Sequence, residues 1–270
     1  MPNMVDKSEK FNWFVRVGYL SRAILYSVIG IIALTSAGKI AQGTNGVFKA
    51  IEEFPAGTVI LWIMVVGLIA YALFRFASTF FDIENNGTDK KGLAKRIGHA
   101  GSAIGHLALA WSAYKFATYE GSAESGGGAQ EAASGVLSMT LGGIVLGLLG
   151  IAFFVAAVMQ AKKGISGEFM HRISGQAPGF TRWLGGAGYC ARAIVFGIIG
   201  WSLFKAGFMS AGSEQVKTVG DAVASLSGMG FWFTLVSLGM LMFGIFSLIL
   251  AQYRIIPDMD SSGKIPAFRA

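Results

Sequence analysis

Six stretches of the chain are continuously apolar for 18 to 24 residues, at roughly 17–37, 58–81, 99–116, 137–160, 188–205 and 231–253. Runs of about 20 apolar residues cross the ~30 Å hydrocarbon layer of a bilayer. Backbone in lipid must satisfy its own hydrogen bonds, and segments this long and apolar do so as helices. Shorter patterns lie between the runs. Val47, Ile51 and Phe54 recur at helical spacing before Pro55-Ala56-Gly57, which predicts a short interfacial helix broken by that turn. A polar turn over 82–92 leads into the basic pair Lys95 and Arg96, and is expected at the lipid headgroups. The link over 120–135, with Gly126-Gly127-Gly128 at its centre, is low in complexity and expected to be mobile.

The first and fifth runs share a motif. Gly18-Tyr19-Leu20-Ser21-Arg22-Ala23-Ile24-Leu25-Tyr26 with Gly30 returns as Gly188-Tyr189-Cys190-Ala191-Arg192-Ala193-Ile194-Val195-Phe196 with Gly200. In the same register, Gly98, His99, Ser102, Ala103, Ile104, His106 and Ala110 stand where Gly18, Tyr19, Arg22, Ala23, Ile24, Tyr26 and Gly30 stand. Gly67, Gly147 and Gly239 occupy matching places in the second, fourth and sixth runs. The chain therefore reads as one membrane domain, 1–270, of three two-helix repeats at about 11–83, 91–163 and 181–256. Each repeat crosses twice, so all three enter the membrane in the same direction and are related about its normal. The expected fold is an all-α integral membrane protein of six transmembrane helices with pseudo-threefold symmetry. Gly101 and Gly105, and again Gly143 and Gly147, form small-xxx-small pairs suited to close helix approach.

Composition agrees: 53% of residues are hydrophobic, 14% are charged, and the mean hydropathy is +0.57. The net charge of +7 would suit nucleic acid, but its placement points to orientation. With both termini and the even-numbered links on one side, seventeen basic residues fall there and five on the other. That positive-inside bias puts both termini in the cytoplasm and leaves no nucleic-acid surface. Lys7 and Lys10, with Thr35-Ser36-Ala37 closing the first run, resemble a secretory leader, but the motif's return at Gly188 argues for a retained helix. Cys190 is the one cysteine, so no internal disulfide or sulfur metal site forms.

Chemistry concentrates in the motif. Tyr19, Arg22 and Tyr26 share a helical face, as do Tyr189, Arg192 and Phe196, so the rings can flank the guanidiniums. Arginine inside a span is costly and needs a reason. Arg22 lies roughly 8 Å into its helix, close enough to snorkel to headgroup phosphates; a ligand is the other reason. In the middle repeat His99 and His106 replace the tyrosines, and at about 10 Å apart they are too distant to ligate one metal. No acidic residue falls well inside a run, so a proton relay of the usual kind lacks its parts. If the three faces meet on an axis, Arg22, Arg192, His99 and His106, with Tyr19, Tyr26 and Tyr189, form a basic aromatic cluster for an anion or an anionic lipid headgroup. No nucleophile, zinc or nucleotide motif is present, and neither a cofactor nor an enzymatic activity is expected.

The three motif copies, Phe54-Pro55-Ala56-Gly57 before the second run, and Gly87-Thr88-Asp89-Lys90-Lys91-Gly92-Leu93 before the third resemble the bacterial membrane family named domain of unknown function 1206. The resemblance covers nearly the whole chain. It implies a six-span protein of the bacterial inner membrane and no particular activity. The expected function is a non-enzymatic scaffold, accessory subunit or lipid-binding protein, with a channel or transporter for a small anion as the alternative. Expected partners are anionic membrane lipids and a membrane protein or a second copy.

Overall fold

The computed structural model describes residues 7–35, 43–82, 84, 86–118 and 128–256. The centre of the glycine-rich link, the lead-in before Lys7 and the tail from Pro257 lie outside the described residues. Among the described residues six long helices form: α1 Lys7–Thr35, α3 Gly57–Phe80, α4 Lys90–Ala117, α6 Gly142–Ser166, α7 Thr181–Phe208 and α9 Phe231–Tyr253. Three short ones, α2 Gly43–Glu52, α5 Gly128–Leu137 and α8 Val219–Ala224, each precede the second long helix of a repeat.

Five of the long helices are apolar enough to span a membrane: Val15–Thr35 within α1, then α3, α6, α7 and α9. The sequence pattern predicts six; α4 is long enough at 28 residues, but lysines, serines, two histidines and Gly98, Gly101 and Gly105 dilute its apolar content. The short helix before Pro55 is present as α2, and its apolar stripe faces protein. Val47, Phe48 and Ile51 are buried, and α2 packs against α1, α3, α4 and α8 as a cap over one end of the bundle. Its apolar stripe finds protein because α5 and α8 gather at the same end, where Gln130 Nε2 of α5 donates to the Val216 carbonyl at 2.7 Å.

The long helices pack in the order α4, α3, α1, α9, α7, α6. The largest interfaces join helices of different repeats: α6 with α7, α1 with α9, and α3 with α4. The hairpin pairs α1 with α3 and α7 with α9 complete the arc. Glycines bring these helices together. A methyl group at Gly18 would sit 2.8 Å from Tyr71 Cβ, and one at Gly30 would meet the Leu241 backbone at 2.6 Å. Gly143 and Gly207 oppose one another in the same way between α6 and α7. Three equivalent hairpins would close a ring, but among the described residues α4 and α6 form no packed interface. The Gly143 and Gly147 pair is used against α7, whereas Gly101 and Gly105 meet none of the described residues.

At the end where α1 begins and α9 finishes, Arg16 donates to the carbonyls of Ala251 and Gln252. A short antiparallel bridge between Ile173 and Arg254 ties the 167–181 loop to the foot of α9. Its bonds run from Ser174 N to the Tyr253 carbonyl at 2.9 Å and from Ile255 N to the Arg172 carbonyl at 3.0 Å.

Candidate functional site

Both motif arginines turn inward. Arg22 is 4% exposed and Arg192 9%, so neither snorkels to the surface as the position of Arg22 allowed. The reason is the α1–α9 seam, which seals the motif face before a side chain can climb out. Phe243 of α9 lies between them: the Arg22 guanidinium is 4.8 Å from its ring centre and that of Arg192 is 4.5 Å away. Tyr19 and Tyr71 also flank Arg22, and Tyr26 and Phe196 flank Arg192. Tyr189 packs edge-on to Phe243 at 5.4 Å. Ring faces offer each cation attraction worth about 0.5–2 kcal/mol, less than the hydration it gives up.

Hydrogen bonds do not make up the difference. Arg22 donates to the Tyr71 hydroxyl at 2.6 Å and to Ser247 Oγ at 3.2 Å, but its Nε–H has no partner. Arg192 makes no hydrogen bond among the described residues, and its Nε–H is likewise buried and unpartnered. Neither forms an ion pair there. His106 of α4 stands at the same layer, its ring 4.5 Å from that of Tyr71. A carbonyl only accepts, so the 2.6 Å approach of His106 Nδ1 to the Ser102 carbonyl places the hydrogen on Nδ1. That leaves Nε2 buried with no partner.

Tyr71 connects this layer to a second one. Its hydroxyl also accepts from Arg75 Nε at 2.9 Å and Nη2 at 2.6 Å. Arg75 reaches Glu84 Oε2 at 3.4 Å and His99 Nδ1 at 3.1 Å. One tautomer of His99 serves both neighbours: bare Nδ1 accepts from Arg75 while Nε2–H donates to Glu84 Oε2 at 3.0 Å. The other carboxylate oxygen, Oε1, accepts from Arg254 at 2.6 Å and Arg172 at 3.0 Å. Glu84 is 3% exposed, in the polar turn expected at the headgroups; four cationic or polar donors draw it inside. Burial pushes its carboxyl up, but the His99 hydrogen bond and the charges of Arg75, Arg254 and Arg172 outweigh this and hold it well below the usual carboxylate range.

The motif residues therefore divide. Tyr19, Arg22, Tyr26, Tyr189, Arg192 and His106 surround Tyr71 and Phe243, whereas His99 belongs to the Glu84 layer. Tyr71 and Arg75 stand four apart on one helical face, but local pattern does not join them to the motif or single out Phe243 and Glu84. A signal for Phe243 exists: it stands four residues after Gly239, as Tyr71 stands four after Gly67. None exists for Glu84, whose partners lie on four separate stretches of chain. Around the two layers, Arg22, Arg75, Arg172, Arg192 and Arg254 oppose one carboxylate among the described residues. Cationic groups thus outnumber carboxylates around the two layers, and the buried unpartnered N–H groups are those of Arg22 and Arg192.

Comparison with known proteins places the chain without assigning it a task. It is 29% identical over 261 residues, 92% of this chain and 94% of the relative, to the uncharacterized protein YxxB of Bacillus subtilis (strain 168). No solved structure matches it. The family described as Domain of Unknown Function (DUF1206) matches three successive segments, 17–82, 97–167 and 187–254, each carrying one copy of the hairpin. These three matches cover most of the chain, which belongs to the DUF1206 family.

Proposed function

We propose that this protein is a non-enzymatic, multi-pass protein of the bacterial inner membrane that holds the phosphate of an anionic lipid at Arg22 and Arg192, and serves there as a lipid-binding scaffold or accessory subunit. One observation carries this: two guanidiniums buried among aromatic rings, each with an unpartnered Nε–H and, among the described residues, no carboxylate beside it. An unpaired buried charge costs several kcal/mol, and a phosphate accepting from an unpartnered guanidinium N–H offsets that cost. In this reading α4 is the sixth span, its 28 residues giving roughly 42 Å of rise, and the bundle is pseudo-threefold with the middle hairpin opened. The basic residues face the cytoplasm with both termini.

The test is lipid analysis of the protein purified in mild detergent. About one phosphatidylglycerol or cardiolipin per chain is expected, falling at least roughly tenfold in the Arg22→Gln/Arg192→Gln variant. Equal lipid in both would sink the reading. The same cluster would serve a small anion in transit; chloride or phosphate flux in proteoliposomes that falls in the variant, with no lipid retained, favours that alternative.

A further inference from the structure

The middle hairpin differs from the other two at one seam. Gly18 of α1 lies under Tyr71 of α3, and Gly188 of α7 lies under Phe243 of α9, where an added methyl would come within 2.8 Å and 2.7 Å respectively. Gly98 holds the same motif position in α4, and nothing described lies within 4 Å of it. The same is true of Gly101 and Gly105, one and two turns further on. Their counterpart helix has been drawn away. Gly147 and Gly150 of α6 press on Phe208 and Phe204 of α7. Ile151, which stands four residues after Gly147 as Tyr71 and Phe243 stand after Gly67 and Gly239, is 43% exposed where those two are buried. The seam that α1 and α3 close, and that α7 and α9 close, is open between α4 and α6.

A line of glycines one turn apart leaves a trough on a helix, and in a bilayer a trough fills with something apolar. A small-residue stripe alone names no occupant. Here the side chains next to it do. His106 adjoins Gly105 on the inner side of α4, is 8% exposed and has an unpartnered Nε2; its ring touches Tyr71, which hydrogen-bonds Arg22. Arg22 lies across Tyr71 from His106 and shares the Phe243 ring with Arg192, and both arginines are at least nine-tenths buried with an unpartnered N–H. An apolar helix laid on the glycines would bring no anion to the arginines; His106 Nε2, a bare acceptor, takes no part in holding a phosphate. A phospholipid supplies both halves: an acyl chain for the trough and an anion for the arginines.

We infer that the open α4–α6 seam is a lateral entrance from the bilayer, occupied by an acyl chain of the anionic phospholipid whose phosphate the arginine pair holds. This rests on the proposed headgroup site and adds the route and the chain site. The middle repeat is built for it: Ser102 in place of arginine and Ile151 in place of an aromatic ring leave the entrance uncharged and unplugged.

Gly101→Leu/Gly105→Leu tests the inference, because side chains there meet open space and fill the trough without pressing on described residues. Full-length wild type, this variant, Arg22→Gln/Arg192→Gln and the charge-keeping Arg192→Lys are reconstituted in nanodiscs of phosphatidylcholine with a minor share of phosphatidylglycerol. They are then re-extracted, and bound lipid per chain is counted by mass spectrometry. The leucine variant is expected to lose phosphatidylglycerol at least roughly tenfold with unchanged thermal stability, the effect of a few methylenes displaced. The arginine-to-glutamine variant is expected to lose it as well, and Arg192→Lys to retain most of it. Loss in the glutamine variant with full retention in the leucine variant overturns the entrance and leaves the headgroup site standing. Loss in the leucine variant alone overturns the link between trough and arginines. Retention in both overturns both readings. A shift from dimer to monomer in the leucine variant without lipid loss identifies the trough as a contact between copies and overturns the inference.

Discussion

Glu84→Gln removes the one carboxylate that, among the described residues, joins the three repeats, and it changes little else in shape. Glutamine keeps one acceptor oxygen and presents an amide N–H₂ where the second stood. Whichever way it turns, donors then face donors: Arg254 and Arg172 on the Oε1 side, or Arg75 and His99 on the Oε2 side. The side chain is 3% exposed and those of Arg254, Arg75 and His99 are 11%, 14% and 17%, so water does little to replace it; Arg172, at 31%, is screened more. Breaking a buried pair by removing one partner costs about 3–5 kcal/mol. At about 2–4 °C per kcal/mol for a chain of this size, that lowers the thermal midpoint by roughly 6–20 °C, monitored by tryptophan fluorescence in detergent. The carboxyl titrates below its usual range in the folded protein, so its stabilisation is complete above the usual range and is lost as pH falls through the depressed value. Wild type should therefore lose stability on acidification below about pH 4.5, and Glu84→Gln should lose less. A shift under ~2 °C at pH 7, or parallel acid profiles, would refute the role given to this cluster.

Other outcomes rest on the same geometry. Tyr71→Phe withdraws the oxygen shared by Arg22 and Arg75 and should cost about 1–3 kcal/mol in thermal or denaturant unfolding. Gly30→Ala forces a methyl against the Leu241 backbone and should cost roughly 1–3 kcal/mol, whereas Gly105→Ala, on an open helix face, should be neutral or add up to about 1 kcal/mol; equal effects would contradict the seams described. Arg192→Gln should match or exceed wild-type stability in lipid-free detergent, since it removes an unpaired buried charge. Added phosphatidylglycerol at about 100 times its Kd should then raise wild type by ~2.7 kcal/mol and leave the variant unmoved.

Local pattern carried much of this protein into view. Apolar runs of membrane length set the long helices, because lipid penalises unpaired backbone wherever it occurs in the chain. The copied Gly-Tyr-x-x-Arg motif marked the repeats and the residues that gather at Phe243, since helical periodicity puts Tyr19, Arg22 and Tyr26 on one face before any partner is known. Period alone could not tell that the stripe of α2 turns to protein, because that depends on which neighbours arrive; the diluted apolar content of α4 was already in its residues. The inward turn of Arg22 depended on the α1–α9 seam.

The properties of single helices are therefore written in the order of residues: their lengths, their faces, their glycines and the threefold repetition. Which seams close was settled only when the helices packed. Packing paired Gly143 and Gly147 with α7, left Gly101 and Gly105 open, and drew Glu84 from a polar turn to meet arginines 9, 88 and 170 residues away. Those outcomes are set by shape complementarity and charge compensation between distant segments, quantities that no local pattern contains.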